Sequence, residues 1–160
     1  DKNTVALLSV KYRYSGGIGC GHDFSIYNFH TGKEINLPTE EEPHHSSRIP
    51  LYILKLPPGV YAVVRHSVDI GRYDAKHVVV NELRLDQAPW FEVKSGKNLY
   101  YGTLVFDLDH NRIGVLHEKE EVKKLLIEMK KELSYEEGSF IFDKNEKDKL
   151  KKTHGLKGVE

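Results

Sequence analysis

The chain has 160 residues and a mass of 18.4 kDa, which is enough for one domain with a hydrophobic core and too little for two ordinary domains. Its 24 lysine and arginine residues balance 24 aspartate and glutamate residues, so no overall field draws it to nucleic acid or to an anionic membrane surface, and we expect no nucleic-acid partner. A single cysteine, Cys20, excludes an internal disulfide and a cysteine metal cluster, and no stretch approaches the roughly 20 apolar residues that cross a bilayer.

The first third of the chain has the pattern of strands joined by turns. Residues 4–14 alternate apolar and polar side chains with the period of two that is typical of a half-buried strand. The glycine-rich segment 15–22 interrupts this pattern, and the extended stretch after it predicts a hairpin. Residues 38–47 contain two prolines and three glutamates without periodicity, which predicts an exposed loop.

The stretch LKLPPGVYAVV, residues 54–64, predicts a tight hairpin, because proline followed by Gly59 suits a type II turn. Tyr61 follows the turn directly, so we expect its ring to be buried and its hydroxyl to bond to backbone at the end of the sheet. Further strands are predicted at 76–85, 90–96, 98–108 and 112–116. Turn signals recur about every ten residues, and the fold class expected is therefore a mainly β, antiparallel sandwich.

A change of period after residue 117 predicts one amphipathic helix near the C-terminus, over 118–134. Apolar residues at helical spacing form one stripe, with glutamates in the first turn and lysines in the last, as the helix dipole favours. Residues 144–160 are charged and poor in apolar side chains, which predicts a tail or a short helix. We therefore expect a single domain over residues 1–143.

DLDHNRIGVLHE, residues 107–118, is the segment closest to a metal-binding motif. Asp107, Asp109 and Asn111 occupy positions one, three and five of an EF-hand calcium loop, and Glu118 occupies position twelve. Arg112 stands where that loop requires glycine, and the segment ahead of it has the pattern of a strand rather than a helix. The alternative interpretation is a polar turn between two strands.

Several other residues are candidates for ligand contacts. Cys20 has His22 beside it, an arrangement that suits a thiol with a nearby base, although a lone cysteine is more often inert. His44 and His45 are adjacent in the predicted loop, and the nine histidines of the chain leave open a zinc or other transition-metal site from residues distant in sequence. Trp90, directly after DQAP, is the candidate for a ligand-contacting aromatic side chain at the end of the sandwich.

Two separated segments carry a resemblance to a known group of proteins. Leu56, Pro58, Gly59 and Tyr61 are followed by Phe91, Val93, Gly96, Tyr100 or Tyr101, and Gly102. This pattern resembles bacterial lipoprotein-type domains of unknown function, over about residues 50 to 108. The resemblance implies a prealbumin-like or carboxypeptidase-regulatory-like sandwich of the wider immunoglobulin-like kind, with no catalytic residues carried over.

Together these features predict a non-enzymatic exported bacterial envelope protein that acts as a structural or binding module. Its ligand-binding loops would lie at one end of the sandwich, its partner would be another envelope protein or a small ligand, and no cofactor is expected. The resemblance and a chain that opens at Asp1 favour a location in the periplasm or the outer membrane. We expect contact with the membrane only through a lipid anchor upstream of Asp1. The alternative is a cytoplasmic location. The alternative functions are a metal-binding protein, with calcium or zinc as the cofactor, and a hydrolase that uses Cys20 or a histidine and carboxylate pair.

Overall fold

The computed structural model describes residues 4–14, 17–20, 23–37, 51–69 and 78–157. Within these ranges the chain is mainly β, with two helices near its C-terminus. The strands are β1 (Thr4–Tyr14), β2 (Gly17–Cys20), β3 (Asp23–Asn28), β4 (Lys33–Leu37), β5 (Leu51–Leu56), β6 (Gly59–Asp69), β7 (Val78–Glu82), β8 (Trp90–Val93), β9 (Leu99–Asp107), β10 (Arg112–Leu116) and β11 (Glu136–Glu137). The helices are α1 (Lys119–Glu128) and α2 (Lys144–His154).

The strands form two sheets. The first, sheet A, has the order β10-β9-β1-β2, with β5 also paired to β1 and β11 to β9. The second, sheet B, has the order β4-β3-β6-β7, with β8 also paired to β6. The strands β1 and β9 run parallel, as do β11 and β9, so sheet A is mixed and the prediction of a purely antiparallel fold is wrong. These parallel neighbours are far apart in sequence, and a pattern of local hairpins could not reveal them.

The two sheets share one core, which gives a sandwich-like arrangement. Along β1 the residues Ala6, Leu8, Val10 and Tyr12 point to this core, as the period of two predicts. Sheet B contributes Phe24 and Ile26 of β3 together with residues of β6 and β8. Burial of these apolar side chains is the main force that holds the sheets together.

The Pro57-Pro58 link connects the two sheets and does not close a hairpin. The strand before it, β5, pairs with β1 in sheet A, whereas β6 after it pairs with β3 in sheet B. The predicted hairpin is therefore wrong, but the prediction for Tyr61 is confirmed: its buried ring lies in the shared core and its hydroxyl donates to the Pro57 carbonyl at 2.7 Å. A Cβ at Gly59 would lie 2.7 Å from the His30 ring, so a larger residue there would require this side chain to move.

The two described helices pack on the outer faces of the sheets, α1 on sheet A and α2 on sheet B. The helix α1 packs Val122, Leu125 and Leu126 against Leu7 and Tyr100 of sheet A. It ends before the predicted residue 134, because Lys130 adopts a positive φ of 54° and the Lys131 N–H bonds back to the Leu126 carbonyl.

The helix α2 forms where a charged tail or a short helix was expected. The Asp143 side chain caps its first turn by accepting from the Glu146 N–H, and Gly155 closes its end with a φ of 63°. Leu150 and Leu156 pack against the apolar cluster on the outer face of sheet B. This helix is thus attached to the sandwich rather than separate from it.

Candidate functional site

Most of the predicted ligand-contacting loop residues fall outside the part of the chain that the structure describes. His22, His44 and His45 lie in segments that are not described. Cys20 is the last residue of β2, where its backbone is opposite Lys11 of β1. The prediction that these residues form a ligand site therefore stays a prediction.

The structure corrects the prediction for Trp90. Only 1% of this residue is exposed, because α2 covers it. Its indole packs against Phe29, with ring centroids 4.5 Å apart, and Nε1 donates to the Leu85 carbonyl at 2.7 Å. The Lys147 ammonium lies 5.2 Å from the ring centroid. Trp90 is therefore a packing residue under a helix, which its place after a loop in the sequence could not show.

The four predicted calcium ligands are not brought together. Asp107 ends β9 and is opposite Arg112, whereas Glu118 lies past the other end of β10, beyond the pair of Leu116 with Thr103. The alternative interpretation of a polar turn between two strands is confirmed, with Asn111 in the left-handed region at a φ of 50° and Asp109 exposed.

Glu118 has a different set of partners. Its Oε1 accepts from Lys11 Nζ at 2.7 Å, its Oε2 accepts from Thr103 Oγ1 at 3.3 Å, and its backbone N–H donates to the Tyr100 hydroxyl at 3.1 Å. This network fixes the start of α1 on sheet A. Among the described residues no group of three or more histidine, cysteine, aspartate or glutamate side chains is arranged to hold a metal. The zinc alternative depends partly on histidines that are not described and stays a prediction.

The outer face of sheet A carries a shallow groove of about 330 Å³, which we call the arginine groove. Its position follows from the strand register, which makes Arg13 of β1, Asp107 of β9 and Arg112 of β10 direct neighbours in one row. In the next row Val105 of β9 is opposite Gly114 of β10. The groove is lined by Arg13, Val105, Asp107, Arg112, Ile113, Gly114, Val115 and Leu116.

The charged side chains of the arginine groove differ in their exposure to solvent. Asp107 is mostly covered, with 14% of its side chain exposed, whereas 72% of the Arg112 side chain is exposed. Arg13 is exposed as well and has no ion-pair partner among the residues described. A ligand that approaches the groove therefore meets two guanidinium groups before it meets the carboxylate.

Asp107 is held in its ionised form. Desolvation raises its pKa, but the hydrogen bonds from His110 and the charges of His110 and Arg112 outweigh this effect, so the pKa lies below its ordinary value. Its Oδ1 accepts from the His110 backbone N–H at 3.1 Å, and its Oδ2 lies 3.0 Å from the His110 Nδ1. A carboxylate with a lowered pKa is a weak base, and both oxygens of Asp107 already contact His110 in the same turn.

Sequence reasoning missed the arginine groove. The alternation of β1 does place Arg13 on the face opposite the core, but nothing in the sequence shows that β9 lies beside β1. At position 112 the sequence indicates only that arginine is unsuited to a calcium loop. The signal that was present is Gly114, which stands between two branched apolar residues in a strand and so suggests open space or a close approach.

The fold and the groove define a mainly β, two-sheet protein with an open polar recess on one outer face. Neither described helix is long and apolar enough to cross a membrane. The chain matches no protein-family model, no curated protein and no solved structure.

Proposed function

We propose that this protein is a non-enzymatic binding module that receives an anionic group in the arginine groove. The observation that carries the proposal is the row of Arg13, Asp107 and Arg112 beside a groove of about 330 Å³. A guanidinium group presents planar, paired N–H donors that match carboxylate and phosphate oxygens, and it stays charged at every physiological pH. Two exposed guanidinium groups at one groove therefore favour an anionic ligand.

The chemistry of the groove supports binding rather than catalysis. Asp107 has a lowered pKa and two bonds to His110, so it suits a structural role better than proton transfer. Val105 and Gly114 give the groove an apolar floor beside its charges, a combination that is typical of recognition sites.

Titration of the ¹⁵N-labelled protein followed by NMR tests this proposal. The probes are pentaglutamate and tripolyphosphate, with pentalysine as the control of opposite charge. We expect the anions to shift the amide signals of Arg13, Arg112 and Gly114, and pentalysine to leave them in place. The double variant Arg13→Ala/Arg112→Ala should lose these shifts. Equal shifts in the double variant, or shifts confined to another surface, would contradict the proposal.

We further propose a location in the bacterial envelope, and a sandwich related to the prealbumin-like type. The support is the resemblance carried by Leu56, Pro58, Gly59 and Tyr61 and by the later segment around Gly96 and Gly102. The test of location is the coding sequence directly upstream of Asp1, together with fractionation of cells that express the full gene. An export signal with a lipid-attachment cysteine would support the proposal, and recovery of the full-length protein in the cytoplasm would refute it.

A further inference from the structure

Among the described strands, β10 is the edge strand at one side of sheet A. It pairs with β9 from Arg112 to Leu116, and no described strand pairs with its other side. Edge strands commonly carry proline, lysine or a bulge that blocks pairing with another chain. The sequence RIGVL has no proline and no lysine, and Leu116 is 44% exposed. No described residue pairs with the outer backbone groups of this edge, and Arg112 is its one charged residue, so strand addition is open to a partner that matches this charge.

The groove side of β10 has space for a large side chain. Arg112, Gly114 and Leu116 alternate along the strand, and no atom lies within 4 Å of the position that a Cβ of Gly114 would occupy. In a strand added beside β10, the residue opposite Gly114 would lie over this space and next to Val105. Aromatic side chains are the ones that best cover a glycine on a neighbouring strand.

The charge next to this space indicates what the added strand carries. A residue opposite Arg112 would lie beside an exposed guanidinium group, and a cross-strand pair of opposite charge is favourable. Arg13 of β1, two strands further in and on the other side of Asp107, adds a second positive charge on the same face. An acidic residue fits this position, and an apolar residue fits opposite Leu116.

A second copy of the chain fits this edge less well. In a two-fold pair centred on Gly114, each Gly114 would be opposite the other, so the open space on both strands would remain unfilled. Arg112 would then be opposite Leu116 of the second copy, and its charge would have no partner there. The edge is thus better matched to a different chain than to itself.

We propose that β10 accepts an extended acidic segment of a partner protein as an added antiparallel strand. Read from its N-terminus, the segment has an apolar residue opposite Leu116, an aromatic residue opposite Gly114 and an acidic residue opposite Arg112. The backbone hydrogen bonds supply affinity and the three side chains supply specificity, as in other cases of strand addition. This inference rests on the proposed function, since it names the kind of ligand that the arginine groove receives.

The test is an NMR titration of the labelled full chain with a heptapeptide that has leucine, phenylalanine and glutamate at its second, fourth and sixth positions and threonine elsewhere. We expect shifts at the amides of Arg112 to Leu116. Replacement of the glutamate by lysine should weaken binding about fivefold, because a like-charge pair replaces an opposite-charge pair. The variant Arg112→Glu should reverse this preference.

Two N-methylated peptides separate strand addition from docking by side chains alone. One is methylated at the amides of residues two, four and six, and the other at those of residues three and five. In an added strand only one of these sets faces β10, so one peptide should bind about tenfold more weakly through the loss of backbone hydrogen bonds, and the other should bind as before.

Three results would overturn the inference. The first is equal binding of both methylated peptides. The second is an absence of shifts at β10 at millimolar peptide while pentaglutamate still shifts Arg13, which would leave the proposed function standing. The third is a concentration-dependent dimer that the edge variant Val115→Lys dissociates, which would assign this edge to a second copy. If pentaglutamate also failed to shift the amide signal of Arg13, the proposed function itself would be refuted.

Discussion

The outer faces of the two sheets differ in how fully their helices cover them. On sheet B, α2 covers Trp90 and buries even the lysine Lys147, whose Nζ donates to the Ala88 and Asp86 carbonyls at 2.7 and 2.9 Å. On sheet A, α1 covers Leu7 and Tyr100 but leaves the arginine groove open. The charged residues on the two faces therefore differ in position: Lys147 bonds a helix to sheet B, whereas Arg13 and Arg112 are exposed at the arginine groove.

The closed face of sheet B should respond most strongly to substitution. We expect Trp90→Ala to lower the free energy of unfolding by about 4 kcal/mol, because it empties a packed site under α2 and removes the bond to the Leu85 carbonyl. The matched control on the open face is Leu116→Ala, which should cost less than about 1 kcal/mol because the side chain is partly exposed. Chemical denaturation measures both, and equal costs would remove the contrast between the two faces.

Lys147 tests whether the closed face depends on a buried ammonium group. Lys147 is buried, and this desolvation lowers the pKa of its ammonium group. The variant Lys147→Met keeps most of the side-chain volume but leaves two carbonyls without their donor, and we expect a loss of about 2 kcal/mol. The control is Lys149→Ala on the exposed side of α2, which should be close to neutral. An Lys147→Met variant as stable as the parent would show that apolar packing alone holds the helix.

His66 tests the core that both faces share. It is buried against Phe106, with ring centroids 3.8 Å apart, and desolvation lowers its pKa to about 4. Below about pH 6.5 His66 is protonated in the unfolded chain, whereas in the folded chain it stays neutral until the pH approaches 4. The free energy of unfolding should therefore fall as the pH is lowered from about 6.5 to about 4. At pH 5 this loss amounts to about 2 kcal/mol, and the variant His66→Phe should lack it.

The matched control for this effect is His117→Gln, at an exposed histidine. It should keep the pH dependence of the parent protein. The measurement is the free energy of unfolding of the parent protein, His66→Phe and His117→Gln at pH 5 and at pH 8. If His66→Phe lost as much stability as the parent between these two pH values, the acid sensitivity would belong to other groups.

The arginine groove should contribute least to stability. We expect Arg13→Ala and Arg112→Ala each to change the free energy of unfolding by less than about 0.5 kcal/mol, because both side chains are exposed and Arg112 lies 3.9 Å from Asp107 in a solvent-screened pair. Thermal and chemical denaturation of the two variants provide the measurement. A large loss from either substitution would mean that the arginines hold sheet A together and are not kept for a ligand.

The sequence was sufficient for features that depend on neighbouring residues. The alternation of β1 and a bond from the Tyr61 hydroxyl to nearby backbone are predictable. The turn sequence VKSGKN likewise predicts a positive φ at Gly96, where the observed value is 74°. Gly102 inside a strand predicts a bulge or a close approach of backbone, and the register between β1 and β9 does shift there. Each of these follows from the chemistry of a few consecutive residues.

Features that depend on pairing between distant strands could not be predicted. The two flanks of Pro57-Pro58 have the pattern of a hairpin, but β5 pairs with β1 in sheet A and β6 pairs with β3 in sheet B, and the local pattern does not reveal these distant partners. Trp90 is covered by a helix whose charged sequence resembles a solvated tail. Arg13 and Arg112 become neighbours of one aspartate only because β9 lies between their strands.

One titration compares the outer faces of sheets A and B directly. The chain has one tryptophan, so its indole N–H signal reports on the closed face, while the amide of Gly114 reports on the arginine groove. On addition of pentaglutamate, we expect the Gly114 signal to shift and the indole signal to stay in place. A shift of the indole signal with no change at Gly114 would contradict the proposal that the open face of sheet A is the binding surface.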